Sequence, residues 1–199
     1  MKISLIFLTL PLLFLITLLS SCNRSDFSNS IKSQSLIKQN NSQNSINLNQ
    51  TCTNKKVGYQ VNYPQDWQTN SGNVMNDCQV FDPTYAKVPE QTESISKAIY
   101  LRVEENAPFD LISQENVGEQ HLSKQTLTID SYQAVAVESK STGRAMLPKG
   151  QRNYSYIVDL GDRTLIATTY DVPDNNYAKN KQILDSMLKT IEFNNNELK

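Results

Sequence analysis

Tyr154-Ser155-Tyr156-Ile157-Val158-Asp159-Leu160 and Arg163-Thr164-Leu165-Ile166-Ala167-Thr168-Thr169-Tyr170 flank one polar pair, Gly161-Asp162. Both runs are rich in β-branched and aromatic residues, which suit a pleated, half-buried surface. Gly161 supplies the positive φ that a two-residue hairpin turn needs. The stretch therefore predicts two antiparallel strands, 154–160 and 163–170. Residues 124–129 and 132–139 repeat the arrangement across the polar pair Asp130-Ser131. Four strands joined by hairpins imply an antiparallel sheet.

Working outward, residues 98–104 read as a central strand and 78–81 as a short one. Residues 57–63 alternate apolar and polar as Val57-Gly58-Tyr59-Gln60-Val61-Asn62-Tyr63, the pattern of a half-buried strand that Pro64 then ends. Residues 83–93 read as loop. Asn106 or Ala107 is placed to cap a helix with Pro108 at its first position, and Phe109, Leu111, Ile112 and Val117 on its apolar side. Asp174 or Asn175 is expected to cap a last helix. Tyr177, Leu184, Leu188 and Ile191 fall on one stripe of it, with Ile183 and Met187 beside them and Lys179, Lys181 and Lys189 facing away. Helices covering the face of an antiparallel sheet define the α+β class. The folded part spans roughly residues 51–194, the size of one domain, with a short tail at 195–199.

The N-terminus carries a different signal. Lys2 precedes an apolar run, Ile3 to Leu19, of 17 residues, interrupted by Pro11. A spanning helix needs about 20, and a positive start before a short apolar core is the pattern of a secretory signal. The run ends on Leu19-Ser20-Ser21-Cys22, which resembles the lipobox of bacterial lipoproteins. Residues 1–21 then read as a signal peptide, and Cys22 as the lipid-bearing N-terminus of an exported, membrane-anchored chain. Residues 22–50, dominated by Asn, Ser and Gln, read as a low-complexity tether.

Removing residues 1–21 removes Lys2, so the formal charge moves from −1 to −2. That near-neutral balance gives no reason to expect a nucleic-acid partner. Cys52 and Cys78 remain as an even pair in an exported chain, and read as a disulfide. A metal or redox pair is the alternative, but there is no C-x-x-C and no histidine nearby.

The segment Gly58-Tyr59-Gln60-Val61-Asn62-Tyr63-Pro64-Gln65-Asp66-Trp67 resembles the opening strand of PsbP-like domains. Ile129-Asp130-Ser131-Tyr132-Gln133-Ala134 in a hairpin, a second long hairpin and a C-terminal amphipathic helix continue the resemblance over most of residues 55–193. It implies an antiparallel sheet flanked by helices. Members of that family include extrinsic photosystem II subunits on the lumenal side and many bacterial lipoproteins. The family has no common catalytic residues to carry over. The cysteine pair and Asn-rich tether depart from the photosystem subunit pattern.

Few residues point to chemistry. His121 is the single histidine, flanked by Ser113 and Ser123, and no G-x-S-x-G is present; it reads as a surface residue at a helix end. Tyr59, Tyr63 and Trp67 read as core rather than as a ligand platform. Asp171 and Asp174 sit near enough in sequence to approach a cation, yet turn and cap duties explain Asp162 and Asp174 equally well, and no calcium-loop spacing appears. Lys140, Arg144, Lys149 and Arg152 lie in a Gly/Pro-containing loop without an acid, a candidate binding loop for headgroups, a polysaccharide or an acidic partner. The expected function is thus a membrane-tethered, non-enzymatic binding or accessory lipoprotein. Its partner would be an envelope or photosynthetic protein, it would need no cofactor, and it would face the periplasm, lumen or cell surface. The competing expectations are an envelope hydrolase or transferase and a photosystem-associated extrinsic protein.

Overall fold

The structure, a computed structural model, describes residues 46–90 and 97–194. Every described residue belongs to one compact unit of the chain. The expected signal peptide, the expected lipid site at Cys22, most of the expected tether and the C-terminal tail lie outside the described residues. In chain order the elements are β1 (Gln50–Asn54), β2 (Tyr59–Tyr63), β3 (Gln68–Thr69), β4 (Val80–Asp82), β5 (Ile99–Glu105) and α1 (Phe109–Ile112). They continue with β6 (Glu119–Ile129), β7 (Tyr132–Ser141), β8 (Arg152–Asp159), β9 (Arg163–Tyr170), α2 (Tyr177–Leu188) and β10 (Glu192–Phe193).

Both expected hairpins form. Asp130 and Ser131, between β6 and β7, have φ of 44° and 72°, so both turn residues are left-handed, as the tightest hairpin requires. The Asp130 carboxylate also accepts a hydrogen bond from the Phe193 amide at 2.7 Å, tying β10 to this turn. Between β8 and β9, Gly161 carries φ of 92° and the Leu160 amide donates across the turn to the Arg163 carbonyl. The strands join into a seven-stranded antiparallel sheet ordered β3-β4-β5-β9-β8-β7-β6 and a three-stranded sheet ordered β1-β2-β10. The fold is α+β, with helices on both faces of the large sheet.

The core lies between the large sheet and α2. Ala134, Ala136, Tyr156, Val158, Leu165, Ala167, Ile99 and Leu101 present one face, and Ile183, Leu184, Met187 and Leu188 fill it. Small alanines on β7 and β9 leave room for the helix to approach closely. Strand β2 adds Tyr59, Val61 and Tyr63 to the same cluster, its polar Gln60 and Asn62 alternating toward solvent. Trp67 is also fully buried. The packed chain begins before residue 51, because Ile46 and Leu48 already lie against this core.

Both helix starts differ from the sequence reading. Asn106 takes φ of 54°, so it bends the chain instead of capping. Pro108 itself is the N-cap of α1, with extended backbone. The helix lasts one turn, and Leu111 and Val117 face solvent; only Phe109 and Ile112 face inward, too narrow a stripe to hold a longer helix. At α2 the cap is Asn176, whose side chain accepts from the Lys179 amide at 3.1 Å. Asp174 sits at φ of 68° in the preceding turn, and Asn175 reaches back to the carbonyl of Tyr170. Lys181 does not face away. Its ammonium lies 2.6 Å from Glu138 and over the Tyr154 ring.

Cys52 and Cys78 form the expected disulfide, with Cα atoms 5.8 Å apart. The Tyr59 hydroxyl donates to the Cys78 carbonyl at 2.8 Å, and the Asn54 amide to the Asp77 carbonyl at 2.6 Å. Burial drives the Tyr59 phenol well above its ordinary range. Close by in sequence, the Glu90 carboxylate gathers the Ser71 hydroxyl and the amides of Ser71, Val74 and Met75. Those donors, Ser71 foremost and then Val74, hold its pKa at about 2.

Replacing both cysteines, Cys52→Ala with Cys78→Ala, is expected to lower stability by about 3.5 kcal/mol, the chain-entropy value for a loop of this length. Denaturant midpoints under non-reducing conditions measure it; a loss under about 1 kcal/mol would mean that packing alone holds the two segments together. A second outcome concerns pH. Glu90 has a folded pKa below its unfolded one, so its contribution is complete above about pH 4.5 and is lost as pH falls toward about 2. Exchange at the Val74 and Met75 amides, corrected for intrinsic rates, should accelerate through that window, and Glu90→Gln should weaken the pH dependence.

Candidate functional site

The two faces of the large sheet are unlike. The inner face is buried by α2, whereas the outer one carries cross-strand rows of different character. One row, read across β6, β7, β8 and β9, is His121, Ser139, Asn153 and Tyr170. The next is Val137, Ser155 and Thr168, extended by Tyr100 on β5. The third is Val135, Ile157 and Ile166, ending in Arg102. Phe109 and Ile112 of α1 cover Val135, Val137 and Ile157. The apolar end of this face is thereby capped, and the polar end stays open as a cleft of about 380 Å³.

The cleft floor is polar and buried at Ser139, Asn153 and Thr168. Asn153 and Thr168 each have a partner. The Asn153 amide donates to Glu119 at 3.1 Å, and Thr168 donates to the Tyr154 carbonyl at 3.2 Å while also meeting the Ser155 hydroxyl. Such an arrangement fixes rotamers before any ligand arrives. At the rim, Arg102 pairs with Glu104 at 3.1 Å. Burial pushes the Tyr170 phenol up, with Arg102 opposing and Glu119 reinforcing the shift. The phenol therefore stays a neutral donor.

His121 and Glu119 reach this face because the register slips between His121 and Ser123. Leu122 is the extra residue of that β-bulge, so parity changes there: outward residues are odd before it and even after it. The sequence reading put His121 at a helix end; the structure places it within β6, half-buried at the cleft wall. Ser139 lies opposite it in register, but among the described residues no hydrogen bond joins His121 to a hydroxyl. No group of three or more His, Cys, Asp or Glu residues that could hold a metal ion occurs among the described residues. The alternation that revealed the core could not reveal this wall, since one inserted residue reverses it.

The four basic residues of the expected binding loop separate into two kinds. Lys140 lies on β7, one residue before its end, and Arg144 and Lys149 stand exposed in the loop itself. Arg152 belongs to the fold instead. Its Nε and Nη2 both donate to Asp171, its guanidinium lies over the Tyr177 ring, and Glu138 is 3.8 Å away. Asp171 is thus engaged by Arg152. Glu138 sits at the centre of this inner cluster; partial burial raises its pKa, but hydrogen bonds from Lys181 and Tyr177 more than offset that, and the carboxyl ends below its ordinary value. The Tyr154 phenol nearby is pushed up to about 12, chiefly by burial.

A second cleft, about 400 Å³, opens beside Trp67, Asp82, Tyr85 and Asn175. Its polar groups are occupied internally: Asp82 accepts from the Ala98 and Thr84 amides, and Asn175 donates to the Tyr170 carbonyl. Internal partnering is common to both clefts; the outer one adds His121, Tyr170 and the apolar side chains beside α1, which makes that face of the sheet the better candidate for recognition. Its open cleft combines donors, acceptors and a short apolar wall.

Fold and cleft together define an antiparallel α+β domain with one covered and one open sheet face. Neither a protein-family model nor a curated protein matches the chain. Among solved structures it is similar to the solution structure of cyanobacterial PsbP (CyanoP) from Synechocystis sp. PCC 6803, with 12% identity and a TM-score of 0.46 over 73% of this chain and 92% of that one. It is also similar to a crystal structure from Bacteroides thetaiotaomicron VPI-5482, with 14% identity and a TM-score of 0.37 over 68% of this chain and 45% of that one. The chain spans less than half the length of the second structure.

Arg152→Ala should lower stability by about 1 kcal/mol, because it strips Asp171 and Glu138 of a shared cation. Arg144→Ala combined with Lys149→Ala should leave the denaturation midpoint unchanged. Equal losses in the two variants would show that the loop cations, too, are part of the packing.

Proposed function

We propose that the protein is a membrane-tethered, non-enzymatic binding or accessory lipoprotein of the cell envelope, and that the outer sheet face is where it binds. The observation that carries this is the polar floor of that face, buried and hydrogen-bonded yet left uncovered beside α1. A solvated polar face is ordinary for an antiparallel sheet; what supports recognition here is that Ser139, Asn153 and Thr168 lie at the floor of a cleft instead of on a flat surface. The hydrogen-bond pattern also favours binding over turnover, because the cleft offers fixed donors and acceptors without a nucleophile held by a base. The N-terminal pattern ending at Cys22 supports the tether, and Cys52–Cys78 suits an exported chain. Among the described residues no helix is long and apolar enough to cross a membrane; in this reading the attachment is the lipid on Cys22.

The test has two stages on protein purified from its own membranes. Mass spectrometry should find an acylated N-terminal peptide beginning at Cys22; a chain still starting at Met1 would end the lipoprotein reading. Capture from detergent-solubilised membranes should then recover a stoichiometric envelope partner, and Asn153→Leu with Tyr170→Ala should release it while preserving the fold. Recovery of the same partner by that variant would move the binding site elsewhere.

A further inference from the structure

Two loops at one end of the large sheet are fastened together. The Thr142 amide donates to the Gly118 carbonyl at 2.9 Å, and the Thr142 hydroxyl to the Val117 carbonyl at 2.6 Å. Ala145 lies so close to Gly118 that a Cβ there would stand 2.7 Å from the alanine methyl. The 142–150 loop is also ordered from within. The Ser141 hydroxyl donates to the Leu147 carbonyl at 2.9 Å and accepts from the Gly143 amide at 3.1 Å. The Gly150 amide returns to the Ser141 carbonyl at 2.9 Å.

This ordering does not bury the loop's apolar residue. Met146 is 99% exposed and Val117, on the facing loop, 75% exposed; Leu111 on α1 follows at 71%. Of the five large apolar side chains exposed among the described residues, only Val74 lies away from the segments 111–122 and 142–147. Apolar side chains concentrated in this way mark an interaction surface. Arg144 and Lys149 flank Met146 in the loop and Lys140 precedes it on β7; none of the three makes an ion pair among the described residues. Acids at this end lie on other segments: Glu119 pairs in register with Ser141 from the facing strand and Asp171 is engaged by Arg152, so residues 142–150 themselves carry positive charge only. An apolar point flanked by cations whose long stems let their charges remain in water fits a surface of anionic headgroups over hydrocarbon.

We infer that the Met146 loop docks the domain onto anionic lipid headgroups, a second membrane contact beyond the N-terminal lipid. The inference rests on the tethered reading proposed above. Full extension of residues 22–45 bounds the reach of the domain at about 80 Å, so the tether selects no face and the loop chemistry does. Attachment through Cys22 keeps the loop at high local concentration beside the bilayer, so a weak contact suffices. Because this loop joins β7 to β8, docking would stand the strands away from the membrane.

The experiment uses the lipidated full chain, reconstituted in vesicles of phosphatidylcholine with or without phosphatidylglycerol, and reads amide exchange in residues 142–150. The expected result is several-fold slower exchange with phosphatidylglycerol only, abolished in Arg144→Glu/Met146→Ser/Lys149→Glu, whose denaturation midpoint should match the parent. No protection in either vesicle, with the protein still floating with the lipid, overturns the docking and leaves the tether standing. Protection that ignores phosphatidylglycerol or survives the triple variant overturns the headgroup contact. Failure of the parent to float with either vesicle overturns the tether and the docking together.

Discussion

The corner at Cys78 is where the two sheets become one body. Strand β1 belongs to the small sheet, and Cys78 leads into β4 of the large one, so the Cys52–Cys78 bond spans the seam. Tyr59 supports the same corner from β2, its ring in the core and its hydroxyl on the Cys78 carbonyl. A buried phenol that lost this acceptor would strand a polar group, so the corner and the core hold each other in place. The small sheet would otherwise be a three-stranded ribbon with little to bury by itself.

From that corner the asymmetry of the large sheet follows. The α2 stripe and β2 both occupy the inner side, which leaves a single turn of helix to cover the outer one. Phe109 and Ile112 reach only the apolar rows. The remaining rows must be compatible with water, and they are built largely from Ser, Asn, Thr and Tyr, of which Asn153, Ser155 and Thr168 find partners within the sheet. Stability and recognition are thus divided between faces, with Lys181, Glu138 and Arg152 sealing the edge of the buried side.

Hairpins, strand order within them, the disulfide and the α2 stripe were all legible in the sequence. Each rests on a local rule: alternation, a turn pair, an even cysteine count or a 3.6-residue period. Long-range pairing was not. That β5 lies beside β9, and that β10 returns to β2, depends on contacts between residues far apart in sequence. The helix starts were missed because Asn106 and Asp174 adopt positive φ, a property their side chains permit without announcing. Within the candidate basic loop, the sequence grouped four cations that the fold separates. Arg152 lies in register on β8 and finds Asp171 at the end of β9, a pairing invisible without strand register. The cleft itself had no motif, because its residues come one per strand.

The bulge at Leu122 has an evolutionary side. Strand β6 is read on two opposite parities, so its segments before and after Leu122 answer to different demands. Beyond the bulge, Leu127 and Ile129 must suit the core that α2 fills. Before it, Glu119 and His121 face only the cleft, and their neighbours can vary without cost to that core. One extra residue thereby uncouples the part of an edge strand that recognises from the part that folds. Drift in the first can proceed while the second is held by packing, so descendants of this chain could change what they bind and keep the same sheet.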